Sequence, residues 1–204
     1  MDAIGIMIPR TILSSIEESI SLKPVTLITG PRQAGKTTIC KLIAERHGFD
    51  YVSLADRSER MMASNDPEFF LNVHPAPLII DEVQYAPALF DAIEGVIDKR
   101  KFDTGSNEGM YILTGSQAYN LMQGVTQSMT GRISIIEMSP LSISEITGRE
   151  ELPFTVDFER NILRASKTRI PATEVYSMIV RGSYPELYEK PSMRASKFYS
   201  EYVD

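Results

Sequence analysis

Cysteine is almost missing from this chain of 204 residues: Cys40 stands alone, and there are only two histidines. A single cysteine excludes an internal disulfide and fits a reducing compartment. His47 and His74 have no Cys or His neighbours at ligand spacing, so the sequence offers no zinc-type site. No apolar run approaches the ~20 residues a membrane-spanning helix needs. The opening MDAIGIMIPR lacks the charged lead and long apolar stretch of a secretory signal. Basic excess is missing too: 21 Lys plus Arg stand against 27 Asp plus Glu, a net charge of -6. Nothing general therefore indicates nucleic acid, although a local basic surface stays open. Internal repeats and low-complexity tracts do not occur. The expectation is a cytoplasmic protein with no membrane partner, long enough for one good core and a small second domain.

What is present is alternation. VTLIT (25–29), YVSLA (51–55), PLIIDE (77–82), MYILTG (110–115) and RISIIEM (132–138) read as strands. KTTICKLIAERHG (36–48) sets Ile39, Leu42 and Ile43 on one helical face and stops at Gly48. A helical stretch spans roughly 57–71, and PALFDAIEGVIDKR (87–100) opens on proline and ends in basic residues, as a helix does. KFDTGSNEG reads as a loop. Strands separated by helices imply parallel strands with crossover helices, and near-continuous apolar strands imply a sheet covered on both faces. The fold class is α/β, a three-layer sandwich around a five-stranded, mostly parallel sheet. From about Pro140 the text turns to helices and loops. The expected organisation is a core over 1–140 and a small helical region over 141–204.

The stretch after the first strand carries the chemistry. Gly30, Pro31, Arg32, Gln33, Ala34, Gly35, Lys36, Thr37 fit G-x-x-x-x-G-K-[ST], with Thr38 following. The glycines let the backbone wrap closely with amides turned inward at a phosphate, and the next helix adds its positive end. Lys36 is placed to reach the β- and γ-phosphates, and Thr37 to offer its hydroxyl to Mg²⁺. A strand before and a helix after supply the context this P-loop reading requires. The third strand ends in Asp81 and Glu82. Adjacent carboxylates at the tip of a buried strand are costly without a cation nearby. Asp81 is the candidate to hold Mg²⁺ and Glu82 to activate the attacking water; the plainer alternative is a turn cap beside a solvated glutamate. A nucleotide kinase has no need of the second acid, which tilts the reading to hydrolysis.

The fourth strand ends LTGSQ, where ligands bind in open α/β sheets. Ser116 is the first candidate there to sense the γ-phosphate and position water, with Thr114 and Gln117 behind it, against a simple turn. Arg132, in MTGR before the fifth strand, is a candidate arginine finger, able to act from a neighbouring subunit if it faces away from its own site. The alternative is a surface arginine.

GPRQAGKTT, LIIDEVQYAP, YILTGSQ and TGRISIIEMSPLSISEI, taken in order, resemble the AAA+-type P-loop ATPases of bacteria and archaea that carry a C-terminal domain of unknown function. The resemblance implies an additional-strand, catalytic-glutamate core with Lys36, Thr37, Asp81 and Glu82 in the roles above, and ATP as the nucleotide. It implies that Ile8, Pro9 or Arg10 lies near the adenine, and that Arg181, in RGSYPELYE, reads the γ-phosphate from a lid. Ser183 replaces that element's second glycine, which puts a tight turn there in question. ASKFYSEYVD resembles the helix leading into the C-terminal domain, so most of that domain is expected to be missing. No guanine-reading N-K-x-D pattern occurs. The expectation is an Mg²⁺-dependent ATPase driving a conformational switch, with a homo-oligomer required if Arg132 acts in trans. Two rivals stay open: a nucleotide-binding regulatory module with negligible turnover, and a small-molecule or nucleotide kinase using the arginines of ADRSER (55–60).

Overall fold

Side chains alternate across each strand, and two separate sets of apolar residues follow from that period of two. The computed structural model describes residues 8–116, 129–150, 152, 154–167 and 170–203. Its strands are β1 (Val25–Thr29), β2 (Asp50–Ser53), β3 (Leu78–Asp81), β4 (Tyr111–Gly115) and β5 (Ile133–Glu137). They form one sheet in the order β2-β3-β4-β1-β5, and every pairing is parallel. Val25, Leu27, Leu78, Ile80, Tyr111 and Leu113 point to one face. Ile28, Ile79 and Ile112 point to the other. Both faces are covered, which is why these strands read as almost unbroken apolar runs.

Helices α1 (Leu13–Leu22) and α2 (Lys36–His47) cover one face through Ile16, Ile39, Cys40 and Ile43. Helices α3 (Arg57–Asn65), α4 (Pro67–Val73) and α5 (Leu89–Thr104) cover the other through Ala63, Phe70, Leu71, Leu89, Phe90, Ile93 and Ile97. The result is a three-layer α/β sandwich. Two expectations are corrected. The helix expected over 57–71 is two helices, because Pro67 disfavours helical backbone at Asp66 (φ -146, ψ 82), which instead caps α4 by accepting from Phe69 N at 2.9 Å. The loop expected from Lys101 begins only after Thr104. Gly105 takes the left-handed conformation that closes α5, its amide donating to Lys101 O at 2.8 Å.

Contacts divide the chain into two compact units, residues 12–139 and residues 8–11 with 140–203. In the second unit α6 (Ile143–Thr147) is followed by α7 (Phe158–Lys167), α8 (Ala172–Arg181), α9 (Pro185–Glu189) and α10 (Ala195–Val203). Ser142 and Glu145 form a reciprocal capping box at the start of α6. Glu145 also accepts from Thr11 N at 2.8 Å and pairs with Arg10 at 3.2 Å, tying residues 10–11 to that helix. Gly182 closes α8 with φ 84, and a side chain there would strike the Tyr199 hydroxyl. The backbone carbonyl of the neighbouring Ser183 accepts from Leu141 N at 2.7 Å. No helix among the described residues is long and apolar enough to cross a membrane.

Candidate active site

The site is built at the carboxyl ends of β1, β3 and β4. Immediately after β1, Gly30 turns the chain at φ 141, and a Cβ there would collide with the Met138 carbonyl. Gln33 (φ 61) and Gly35 (φ 97) are both left-handed, and Ala34 between them is buried. Handedness that switches in this way turns successive amides into one concavity, the geometry of an anion cradle. Helix α2 starts at Lys36 with no acidic residue in its first turn and no side-chain cap on its first amides. Those amides and the positive helix end meet the loop with no carboxylate of the helix's own first turn competing for them. Lys36 is buried and its ammonium donates to Gly30 O at 2.9 Å and Pro31 O at 2.8 Å. Burial lowers its pKa, while the nearby Glu82 and Asp81 carboxylates oppose that shift. Arg32, Gln33, Thr37 and Thr38 are exposed along the loop.

Asp81, at the tip of β3, is only 5% exposed and is surrounded by hydroxyls. Thr37 Oγ1 donates to Oδ2 at 3.0 Å and Tyr51 OH donates to the same oxygen at 2.7 Å. Thr114 Oγ1 donates to Oδ1 in a short contact. Three donors on one carboxylate make up for most of the hydration it loses. Burial and the hydrogen bond to Asp81 push the Tyr51 phenol well up. The next residue, Glu82, is left-handed at φ 60, and its amide donates to Thr114 Oγ1 at 3.2 Å. Among the described residues outside glycine, Gln33 and Glu82 alone take positive φ, so the backbone strain of the chain is concentrated here. The Glu82 carboxylate accepts a short hydrogen bond from Gln84, and Ser116 Oγ lies 3.5 Å from it.

Lys36, Thr37, Asp81, Glu82 and Ser116 are thus brought together. Arg132 is not: it faces away from its own site, which leaves of the earlier expectation only action on a neighbouring subunit, or a surface arginine. It precedes β5, whose first residue pairs with Val25, whereas the loop follows Thr29 at the other end of β1. Five residues of strand, roughly 16 Å, separate the two ends. Its guanidinium is held by Asp98 at 2.9 and 2.7 Å and by Glu94 at 3.1 Å, both on α5. Gln117 lies outside the described residues. Arg181 donates to the Leu187 and Pro191 carbonyls and lies 5.5 Å from the Tyr188 ring centroid. Arg60, one of the arginines offered for an acceptor, lies over Tyr85 at 5.1 Å. His47 and His74 pair with Glu17 and Glu59.

Three members of the site carried no first-rank sequence signal. Thr114, fully buried, bonds both acidic residues, although Ser116 ranked ahead of it. Tyr51 and Gln84 had no role. Gln84 sits two residues past Glu82 in LIIDEVQ, and a polar residue so close to the glutamate was the available clue.

A family model described as an AAA domain matches residues 22–147, more than half of the chain. The chain belongs to the AAA domain family. This AAA domain is 28% identical over 140 residues to uncharacterized proteins of Mycobacterium bovis and Mycobacterium tuberculosis. The matches cover 67% of this chain and 30% of each relative, so the chain spans about a third of their length. In fold it is similar to a Walker-type ATPase of Pyrococcus abyssi, with a TM-score of 0.58 at 17% identity, over 97% of this chain and 72% of that one. Family and fold together make it a nucleotide-binding domain of the P-loop ATPase type.

The residues also bear on a metal. Among those described, no group of three or more His, Cys, Asp and Glu could hold an ion by itself. Thr37 and Asp81 nonetheless present hard oxygen donors 3.0 Å apart. That is the donor chemistry by which Mg²⁺ is held through one or two protein oxygens, with phosphate and water completing the shell.

Proposed function

We propose that this AAA domain binds ATP with Mg²⁺ and hydrolyses it, and that turnover drives a conformational switch. The observation that supports this most directly is the contact of Thr37 with Asp81. It joins the phosphate loop to the acidic strand across the intervening β4. The loop amides and Lys36 would bind the phosphate tail, and Lys36 would neutralise charge on the β- and γ-phosphates. Thr37 and Asp81 would hold the metal, which when bound supplies charge neutralisation. Glu82 would orient a water and take its proton, and Ser116 would fix the same region from β4. ATP is chosen over GTP on the family resemblance, and no guanine-reading N-K-x-D pattern occurs in the sequence. The cytoplasm as its location, and a homo-oligomer in which Arg132 serves a neighbouring site, belong to this proposal too.

The deciding experiment is Glu82→Gln assayed with ATP and Mg²⁺. Binding should persist while a measurable wild-type hydrolysis rate disappears. A wild type with no rate to lose would leave a regulatory nucleotide-binding module. Phosphate transferred to a nucleoside or metabolite panel, rather than to water, would make the protein a kinase.

A further inference from the structure

Gln84 has no part in the chemistry above, yet its side chain holds the proposed base. Its Nε2 donates to Glu82 Oε2 in a short contact and lies 3.5 Å from Ser116 Oγ. Ser116 Oγ is itself 3.5 Å from that same carboxylate oxygen. Both contacts converge on Oε2, and Glu82 Oε1 accepts no hydrogen bond among the described residues. The amide orientation follows from chemistry. Turned over, Gln84 would set a carbonyl oxygen against a carboxylate oxygen. With the donor end committed, the acceptor end Oε1 is buried and has no partner among the described residues. An orphaned acceptor is unfavourable, so local packing alone would not select this orientation; the carboxylate does.

The mount is rigid. Gln84 sits in the short 3-10 turn Val83–Tyr85, and Val83 is fully buried. The Tyr85 carbonyl accepts from Ser64 Oγ at 3.4 Å, and its ring carries the Arg60 guanidinium. Both partners belong to α3, so the turn is fastened to the sandwich beside the glutamate it serves.

We infer that Gln84 is a positioning residue: it anchors one oxygen of Glu82 so that the other is left to receive a proton. The inference rests on Glu82 acting as the base in the proposed hydrolysis. Gln84→Met in the full chain keeps length and volume but removes both amide atoms. The expected result is a kcat about tenfold lower with KM for ATP changed less than about twofold. The thermal midpoint should stay or rise, because the orphaned acceptor is gone. A wild-type kcat overturns the inference, as does a lower midpoint with a parallel loss of nucleotide affinity, which would mark a packing role. A second arm needs no turnover. The Gln84 side-chain amide signal, identified by NMR through its loss in Gln84→Met, should move upfield in Glu82→Ala without nucleotide. An unmoved signal overturns the clamp. A moving signal in a protein that never hydrolyses ATP keeps the clamp and sinks the hydrolase reading instead.

Discussion

Thr114→Val is the sharpest test of how the two acidic residues are held. Valine matches threonine in shape, so the fully buried site stays filled. What vanishes is one hydroxyl with two duties: it donates to Asp81 and accepts the Glu82 amide at 3.2 Å. A hydrogen bond to a charged group contributes about 1.5–3 kcal/mol, and an amide left unpaired costs about 1–3 kcal/mol. Asp81 keeps Thr37 and Tyr51, which softens the first loss, so about 2–5 kcal/mol is expected in all. For a chain of this size that is a fall in Tm of about 10 °C. Thermal and denaturant unfolding followed by circular dichroism would read it, with Thr114→Ser as the control that keeps the hydroxyl. Turnover should fall along with stability, because the Glu82 backbone loses its tether. A valine variant within about 0.5 kcal/mol of wild type would refute the idea that one hydroxyl organises both carboxylates.

Lys36→Ala should weaken binding of a non-hydrolysable ATP analogue by about 100-fold or more, because a hydrogen-bonded charge pair at a binding site is worth several kcal/mol; unchanged affinity by calorimetry would remove the phosphate-cradle assignment. Arg132→Ala should leave nucleotide affinity and dilute-solution turnover unchanged, since its guanidinium is engaged by Asp98 and Glu94 at the far end of β5. Lost turnover in dilute monomer would contradict that placement, whereas a loss confined to concentrations where chains associate would favour action on a neighbour. For Glu145, burial raises the pKa, but the amides of Ser142 and Thr11 and the charge of Arg10 outweigh it, and the net shift is downward. Its stabilisation is therefore complete above the ordinary glutamate value of about 4.3 and is lost as pH falls through the lower folded value. Melting curves of Glu145→Gln and wild type should differ at neutral pH and converge in acid; a constant gap would separate that stabilisation from the carboxylate charge.

The layers, the parallel sheet and the loop were legible because each rests on local patterns. The strands are apolar on both faces, and the glycines stand where φ 141 and 97 occur. What escaped depends on residues distant in sequence meeting in space. Tyr51 reaches Asp81 only because β2 and β3 are adjacent, with Ser53 in register with Asp81. Thr114 outranks Ser116 only once the pleat is known: Thr114 points inward beside Asp81, whereas Ser116 lies past the strand end, 3.5 Å from both Glu82 and Gln84. Whether Arg132 could serve its own site stayed open because sequence shows that it precedes a strand, but not which end of the sheet that strand's start occupies. The break at Asp66 was readable from the proline alone.

The left-handed residues at 33 and 82 carry a consequence for anyone who breeds this protein for heat tolerance. Glycine would relax the backbone at either position, but a blind thermal selection should enrich Gln33→Gly, whose side chain is exposed, and not Glu82→Gly, which strands the Gln84 amide. The second change would also remove the proposed base, so survivors of such a selection should keep Glu82 and its left-handed backbone.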